Sequence, residues 1–314
     1  MTVLITGSCG FIGTNLAERL YNEGFSLISL DLISPPNLYY KAHYNWDQID
    51  DIRYDNLDCI VHLAGIAHDT KKKTDIDKYF QINYGLTKKL IDKLNTKETS
   101  IRAPRFIFIS SIKACADSCN EIINEDSTCS PQSPYGQSKL LAEKYVKKYA
   151  NSYILRLAMV HGPGSKGNLY SLFQYAKSGL PWPLGKINNK RSILGIENLC
   201  YILSRTIRGE LPQGLYCISD DEVLSTNEII TILWHALGKT PRILNFNPRI
   251  IKLLCIAGDF LGLPINTGNL SKLSEDFIVS NEKIKKSLSI KRMPQTSKDG
   301  LYNAFYSHRY SDTK

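Results

Sequence analysis

The segment from Val3 to Gly13 limits the fold more than any other. Val3-Leu-Ile5 is an apolar run of strand length. Gly7-Ser-Cys-Gly10-Phe-Ile-Gly13 follows it, and a helical pattern covers Phe11 to Tyr21. Glycines three apart arise by chance in loops, so the spacing informs only in this strand-to-helix setting. There the first glycine permits a sharp turn out of the strand. The next lets a pyrophosphate approach the backbone, and the last lets helix pack on strand. The helix amino terminus adds amide donors and the positive end of its dipole.

The alternation continues through the first half. Ser26–Leu30, Cys59–Leu63, Phe106–Ile109 and Tyr153–Leu157 read as strands. The helix over Phe11–Tyr21 would bury Leu16, Leu20 and Tyr21. A second helix, over Tyr135–Tyr149, sets Leu141, Tyr145 and Tyr149 at four-residue spacing. Apolar strands separated by helices predict an α/β fold, a Rossmann-type doubly wound parallel sheet covered on both faces. After Gly162-Pro-Gly164 the alternation weakens, and glycine and proline rise around Gly179–Gly185. A smaller C-terminal α/β unit that binds substrate is expected. The cofactor unit would span 1–164, with 192–222 returning to it, and the substrate unit 165–191 and 223–314. Within the latter, Ser225–Leu237 reads as a helix with a Ser-Thr-Asn cap region and Glu228 early in its first turn. Another helix covers about Pro248 to Leu261. Its stretch Arg249–Ala257 would suit a membrane surface, but packing on the second unit is the ordinary reading.

Bulk properties exclude several classes. The 314 residues are 43% hydrophobic and 22% charged, which rules out a disordered chain. The net charge of +9 suits an acidic ligand. The basic residues are scattered, and the short run Lys71-Lys-Lys73 reads as a solvated loop, so no nucleic-acid role is expected. The start lacks a basic leader pattern, and no apolar stretch approaches a spanning helix. A cytoplasmic protein without stable membrane insertion is expected. The eight cysteines form no Cys-x-x-Cys pair and no zinc spacing, so no metal site is expected. Cys59 and Cys217 read as buried apolar groups. Cys115, Cys119 and Cys129 share a loop and could pair if oxidised, although free thiols are expected in this compartment.

Asp31 ends the second strand, eighteen residues past Gly13. A carboxylate there can accept both ribose hydroxyls of NAD and would repel the 2′-phosphate of NADP. Tyr135 and Lys139 stand four apart in Ser-Pro-Tyr135-Gly-Gln-Ser-Lys139 and project from one helix face. A phenol titrates near 10. A neighbouring ammonium and a cationic nicotinamide would lower that value, so tyrosinate could take a proton from a sugar hydroxyl. Tyr-x-x-x-Lys alone is a weak signal. The glycine turn, Asp31 and the serines ending Ile107-Phe-Ile-Ser-Ser-Ile-Lys-Ala-Cys115 strengthen it.

Together these motifs resemble the extended short-chain dehydrogenase/reductases, in the NAD-dependent epimerase/dehydratase family that acts on nucleotide sugars. The likeness runs nearly end to end. It rests on Thr6–Gly13, Val61-His-Leu-Ala-Gly65, Asn83-Tyr-Gly-Leu-Thr87, Tyr135–Lys139 and Leu155–Gly164. The resemblance implies that Ser111, Tyr135 and Lys139 are catalytic. Ser111 would steady the developing keto group. NAD would be held by Gly7, Gly10, Phe11, Ile12, Gly13, Asp31, Leu63, Ala64, Gly65 and Asn83, with Tyr135 and Lys139. Ser110 would face the sheet or the cofactor. Asn168 and Arg191 would contact the nucleotide diphosphate, and Lys113 would meet either substrate or solvent. A homodimer is likewise implied. Departures are Leu157 and Ala158, where the family often has prolines, and His161, where tyrosine is usual. His161 is read as a stacking core residue. The adenine contact falls to Asn45-Trp46 by spacing or to Asp51-Ile52 by composition.

Ser111-Ile-Lys113 lacks the acid and base that a sugar 4,6-dehydratase needs after this position. Three readings remain. The first is a UDP-hexose or UDP-N-acetylhexosamine 4-epimerase that passes through a 4-keto sugar. The second is an NAD(P)H-dependent 4-keto-6-deoxy-sugar reductase, for which the likeness of several segments to bacterial surface-polysaccharide enzymes speaks. The third is a non-catalytic NAD-sensing relative, disfavoured because tyrosine and lysine are both retained.

Overall fold

The computed structural model describes residues 1–66, 75–96, 103–118, 121–165, 167–261 and 267–306. Lys71–Lys73 and Cys119 lie outside the described residues. Seven strands build the main sheet: β1 (Thr2–Thr6), β2 (Ser26–Leu30), β3 (Tyr40–Tyr44), β4 (Cys59–His62), β5 (Arg105–Ser111), β6 (Ser152–Leu157) and β9 (Gly214–Ile218). A second sheet holds β7 (Met159–His161), β8 (Arg191–Gly195) and β10 (Val223–Leu224). The large sheet runs β3-β2-β1-β4-β5-β6-β9 with every pairing parallel. The order reverses between β1 and β4, which opens a crevice at their carboxyl ends.

The pleat divides the core. Val3 and Ile5 of β1 point to one face and Leu4 to the other. On the first face they meet Leu16 and Leu20 of α1 (Phe11–Asn22), together with Leu199 and Leu203, which lie further along the chain. On the second face the sheet is covered by Leu90 and Ile91 of α3 (Leu86–Thr96), which follows the one-turn α2 (Ile76–Tyr79). Ala142 and Val146 of α4 (Pro134–Val146) complete that cover. A third apolar cluster gathers Leu169 and Phe173 of α5 (Asn168–Ser178) with Leu233 and Trp234 of α7 (Thr226–Ala236). Between these two helices in sequence, α6 (Ile196–Ile207) packs on α1. Ser225 and Glu228 form a reciprocal capping box at the start of α7, the arrangement its sequence predicts.

Two expected faces differ. Tyr21 is half exposed, because Leu16, Ala17 and Leu20 already fill the contact of α1 with the sheet. Leu141 of α4 is 38% exposed, and the helix instead buries Ser138, Lys139 and Glu143. Polar groups face inward there because each finds a partner inside. The last apolar helix, α8 (Pro248–Leu261), buries Ile251 and Cys255 but leaves Ile250, Leu253 and Leu254 exposed. Among the described residues no helix is long and apolar enough to cross a membrane.

Candidate active site

The glycine turn sits at the crevice. Gly7 has φ +66°, and a Cβ there would lie 2.8 Å from the amide nitrogen of Ala64. A Cβ on Gly13 would stand 2.3 Å from the Gly7 carbonyl oxygen. Side chains are therefore excluded where backbone meets backbone. α1 starts at Gly10 without a side-chain cap, which leaves its first turn, with Phe11 and Ile12, to an external anion. Asp31 follows β2 directly. Its Oδ2 accepts the Cys9 amide at 2.8 Å and its Oδ1 the Leu32 amide at 2.7 Å, so the carboxylate is fixed beside the turn. These features fit a dinucleotide, with diphosphate at the helix and ribose at Asp31. Asn45 and Trp46 follow β3 directly. Asn45 caps the short turn Trp46–Gln48, and Trp46 is buried.

A buried hydrogen-bond chain joins this turn to α4. Thr6 Oγ1 accepts the Ala64 amide at 3.0 Å and bonds His62 Nδ1 at 2.7 Å. His62 Nε2 lies 2.9 Å from Thr87 Oγ1, whose proton goes to the Asn83 carbonyl at 2.7 Å. Thr87 must then accept from Nε2–H, which defines a neutral His62 with Nδ1 accepting. Burial holds its pKa down to about 3. Asn83 lies in a π-helical turn, Phe80–Gly85, between α2 and α3. It accepts the Ile66 amide at 2.9 Å and donates to Ser138 Oγ at 3.0 Å. Ser138 in turn donates to the Tyr135 carbonyl at 2.8 Å. Leu63, Ala64 and Gly65 lie at the end of β4, inside this frame.

Ser111, Tyr135 and Lys139 converge. Ser133 caps α4 and Pro134 opens its first turn, which sets Tyr135 at the start of the helix. Ser111 ends β5, and its side chain faces Tyr135 closely enough to lower the phenol's pKa. Lys139 is buried. Its Nζ donates to the Ile109 carbonyl at 2.9 Å and would lie 3.3 Å from a Cβ on Gly65. Burial lowers the Lys139 pKa to about 8, against the opposing pull of Glu143. Burial pushes the Tyr135 pKa above its ordinary value, Ser111 opposes this, and Tyr79 adds to it. Tyr79 stands edge-on with ring centroids 6.1 Å apart. Desolvation of the anion therefore outweighs the stabilisation expected of a lysine one turn away.

Ser110 points the other way, into the protein. Its Oγ donates to Glu143 Oε1 at 2.5 Å, and Glu143 takes a two-pronged contact from Arg156 at 3.0 and 2.7 Å. Glu143 stands beside Lys144 on a lysine-rich helix and gives no sequence signal of that pair; an arginine inside the apolar run of β6 is the available hint. Lys113 is half-buried and its charge acts on Asp117. The Asp117 carboxylate accepts the Gln132 and Ser133 amides, each at 2.8 Å, and so steadies the cap of α4. Asn168 opens α5 at an exposed position, and Arg191 opens β8 within charge range of Glu275 and Asp276. Both belong to the second sheet and its core rather than to the large sheet. His161 is fully buried, 3.7 Å from Asp220. Among the described residues no cluster could hold a metal ion.

A doubly wound sheet with this turn and a serine–tyrosine–lysine group at its carboxyl edge defines a dinucleotide-dependent enzyme. Residues 3–208 match the profile of the NAD-dependent epimerase/dehydratase family, and the chain belongs to that family. Its cofactor is NAD, which the glycine turn and Asp31 fit. The chain is 30% identical to a UDP-glucose 4-epimerase of Vibrio cholerae over 260 residues, 76% of each protein. It is 23% identical to a dTDP-4-dehydro-6-deoxyglucose reductase of Escherichia coli over 267 residues, 76% of this chain and 82% of the other. The UDP-N-acetylglucosamine 4-epimerase of Bacillus cereus has the same fold, with a TM-score of 0.75 at 19% identity over 99% of both chains.

Proposed function

We propose that the protein is a nucleotide-sugar 4-epimerase, acting on a UDP-hexose or UDP-N-acetylhexosamine through a 4-keto intermediate in surface-polysaccharide synthesis. The observation that carries this reading is the convergence of Ser111, at the end of β5, with Tyr135 and the buried Lys139, one helical turn apart on α4. When bound, NAD supplies the capacity to accept and return a hydride. Tyr135 takes the proton from the sugar 4-hydroxyl and later gives one back. Ser111 donates a hydrogen bond to the same oxygen as it becomes a carbonyl. Lys139, held by the Ile109 carbonyl, keeps positive charge beneath the reacting groups. Ile112 and Lys113 provide no acid or base for loss of water, which speaks against a dehydratase. Asp31 favours NAD over NADP, a cofactor that need not be replaced at each turnover.

The substrate unit, 165–191 with 223–314, takes the nucleotide. Asn168 and Arg191 serve the diphosphate, and Lys113 serves the Asp117 loop or the substrate. The enzyme works in the cytoplasm as a homodimer. A 4-keto reductase would use the same residues with Tyr135 as acid, and the reductase relative supports keeping that second reading. Purified enzyme given UDP-GlcNAc without added cofactor is expected to form UDP-GalNAc, or to interconvert UDP-Glc and UDP-Gal. No interconversion, together with NADH oxidation by a 4-keto sugar nucleotide, would replace the epimerase by the reductase.

A further inference from the structure

The loop that joins Ser111 to Tyr135 carries two thiols in contact. Cys115 Sγ and Cys129 Sγ are 2.8 Å apart, well inside the contact distance of two unbonded sulfurs. The backbone brings them together independently, since the Ser130 amide donates to the Cys115 carbonyl at 2.9 Å. Cys115 is fully buried and Cys129 only partly so. Both are free thiols. A disulfide needs its sulfurs about 2.05 Å apart, so closing the pair asks for less than the width of an atom.

We propose that Cys115 and Cys129 form a reversible thiol–disulfide site, closed by a peroxide, on the loop between the two catalytic hydroxyls. The partly exposed Cys129 reacts first. Its sulfur attacks the peroxide, the O–O bond breaks, and a sulfenic acid and one water form. Cys115 then displaces the sulfenic oxygen as a second water. The two thiols have lost two electrons and two protons to the peroxide. Burial pushes the Cys115 thiol up to about 12, so Cys115 stays protonated and is not the thiol that meets the peroxide first. The bond would act on both arms of the site. The Cys115 amide closes the turn that starts at Ser111, and the Asp117–Ser133 contacts carry Cys129's side of the loop to Tyr135.

The test uses full-length protein, reduced with dithiothreitol and then exposed to hydrogen peroxide. Digestion at Glu121 and Glu125 separates Cys115 from Cys129, so mass spectrometry reads a link between the two peptides directly. The link is expected in the wild type and in Cys119→Ser, and is expected to be lost in Cys129→Ser. In the linked protein kcat should fall by about threefold or more, because sub-ångström shifts of reacting groups are costly. It should recover with dithiothreitol, and Cys129→Ser should keep its rate through peroxide. No link, a link through Cys119 instead, or an unchanged kcat in fully linked protein overturns the proposal. The kcat reading rests on the catalytic assignment above. The peptide map does not, and it decides the proposal alone if that assignment fails.

Discussion

Tyr135 and Lys139 share one face of α4, and burial moves both toward their neutral forms. The phenol is harder to ionise than a free tyrosine, so Ser111 and bound substrate must supply what the protein interior withholds. Tyr135→Phe is expected to lower kcat by about 10²–10⁴-fold and to leave NAD binding in place, read by steady-state kinetics and by titration with NAD. Undiminished turnover would remove Tyr135 as the base. Lys139 makes a prediction in stability. Its folded pKa of about 8 lies below the ordinary lysine value of 10.5. Between those values the unfolded chain holds a proton that the folded chain has lost, so this group's contribution rises with pH across the window. Below pH 8 both states are protonated and the contribution is flat. Urea unfolding of wild type and Lys139→Met from pH 7 to 10.5 should show wild-type stability gaining on the variant as pH rises. A constant difference would contradict the buried amine.

α4 is held to the sheet by a polar lock, not only by apolar contact. Glu143 on the helix, Arg156 on β6 and Ser110 on β5 are all nearly water-free. Arg156→Leu leaves a buried carboxylate without its partner and should cost about 3–5 kcal/mol. Replacing Glu143 and Arg156 together by leucine should recover most of that loss. A single substitution that costs no more than a surface pair would refute the lock. This is also where sequence reading meets its limit. The continuous strands were legible because both faces of a parallel sheet are apolar, and Ser26–Leu30 has the bounds its pattern predicts. On α4 apolar spacing places Tyr145 and Tyr149 on the core but misplaces Leu141, because Ser138, Lys139 and Glu143 find polar partners inside. The strands β3, β7 and β8 escaped notice for another reason. The first is a half-exposed edge strand and β7 has three residues; neither length nor alternation marks them. The glycine turn and the Tyr135–Lys139 spacing are local patterns, whereas Ser111 is singled out among its neighbours only by the family resemblance. The Thr6–His62–Thr87–Asn83–Ser138 chain was not legible, because it joins residues distant in sequence.

At the scale of the molecule, one sheet brings the glycine turn and the Ser111 and Tyr135 hydroxyls to the same carboxyl edge. The second core, around Phe173, Trp234 and Phe305, stands apart from the large sheet's two clusters. Its helices carry ordinary apolar faces, and the sequence of the second half therefore shows few motifs that point to a particular ligand. The chemistry is more constrained than the substrate. With Ile112 and Lys113 after Ser111 in place of carboxylates, the role proposed for Ser111, Tyr135 and Lys139 is to move a proton at a sugar hydroxyl rather than to expel one. An epimerase must return to C4 the hydrogen it removed, within one active site, whereas a reductase installs a new one. The deciding measurement is turnover of UDP-GlcNAc deuterated at C4, with no cofactor added. The account predicts UDP-GalNAc that still carries deuterium at C4. Product without the label, or no product unless NADH is supplied with a 4-keto sugar, would contradict it.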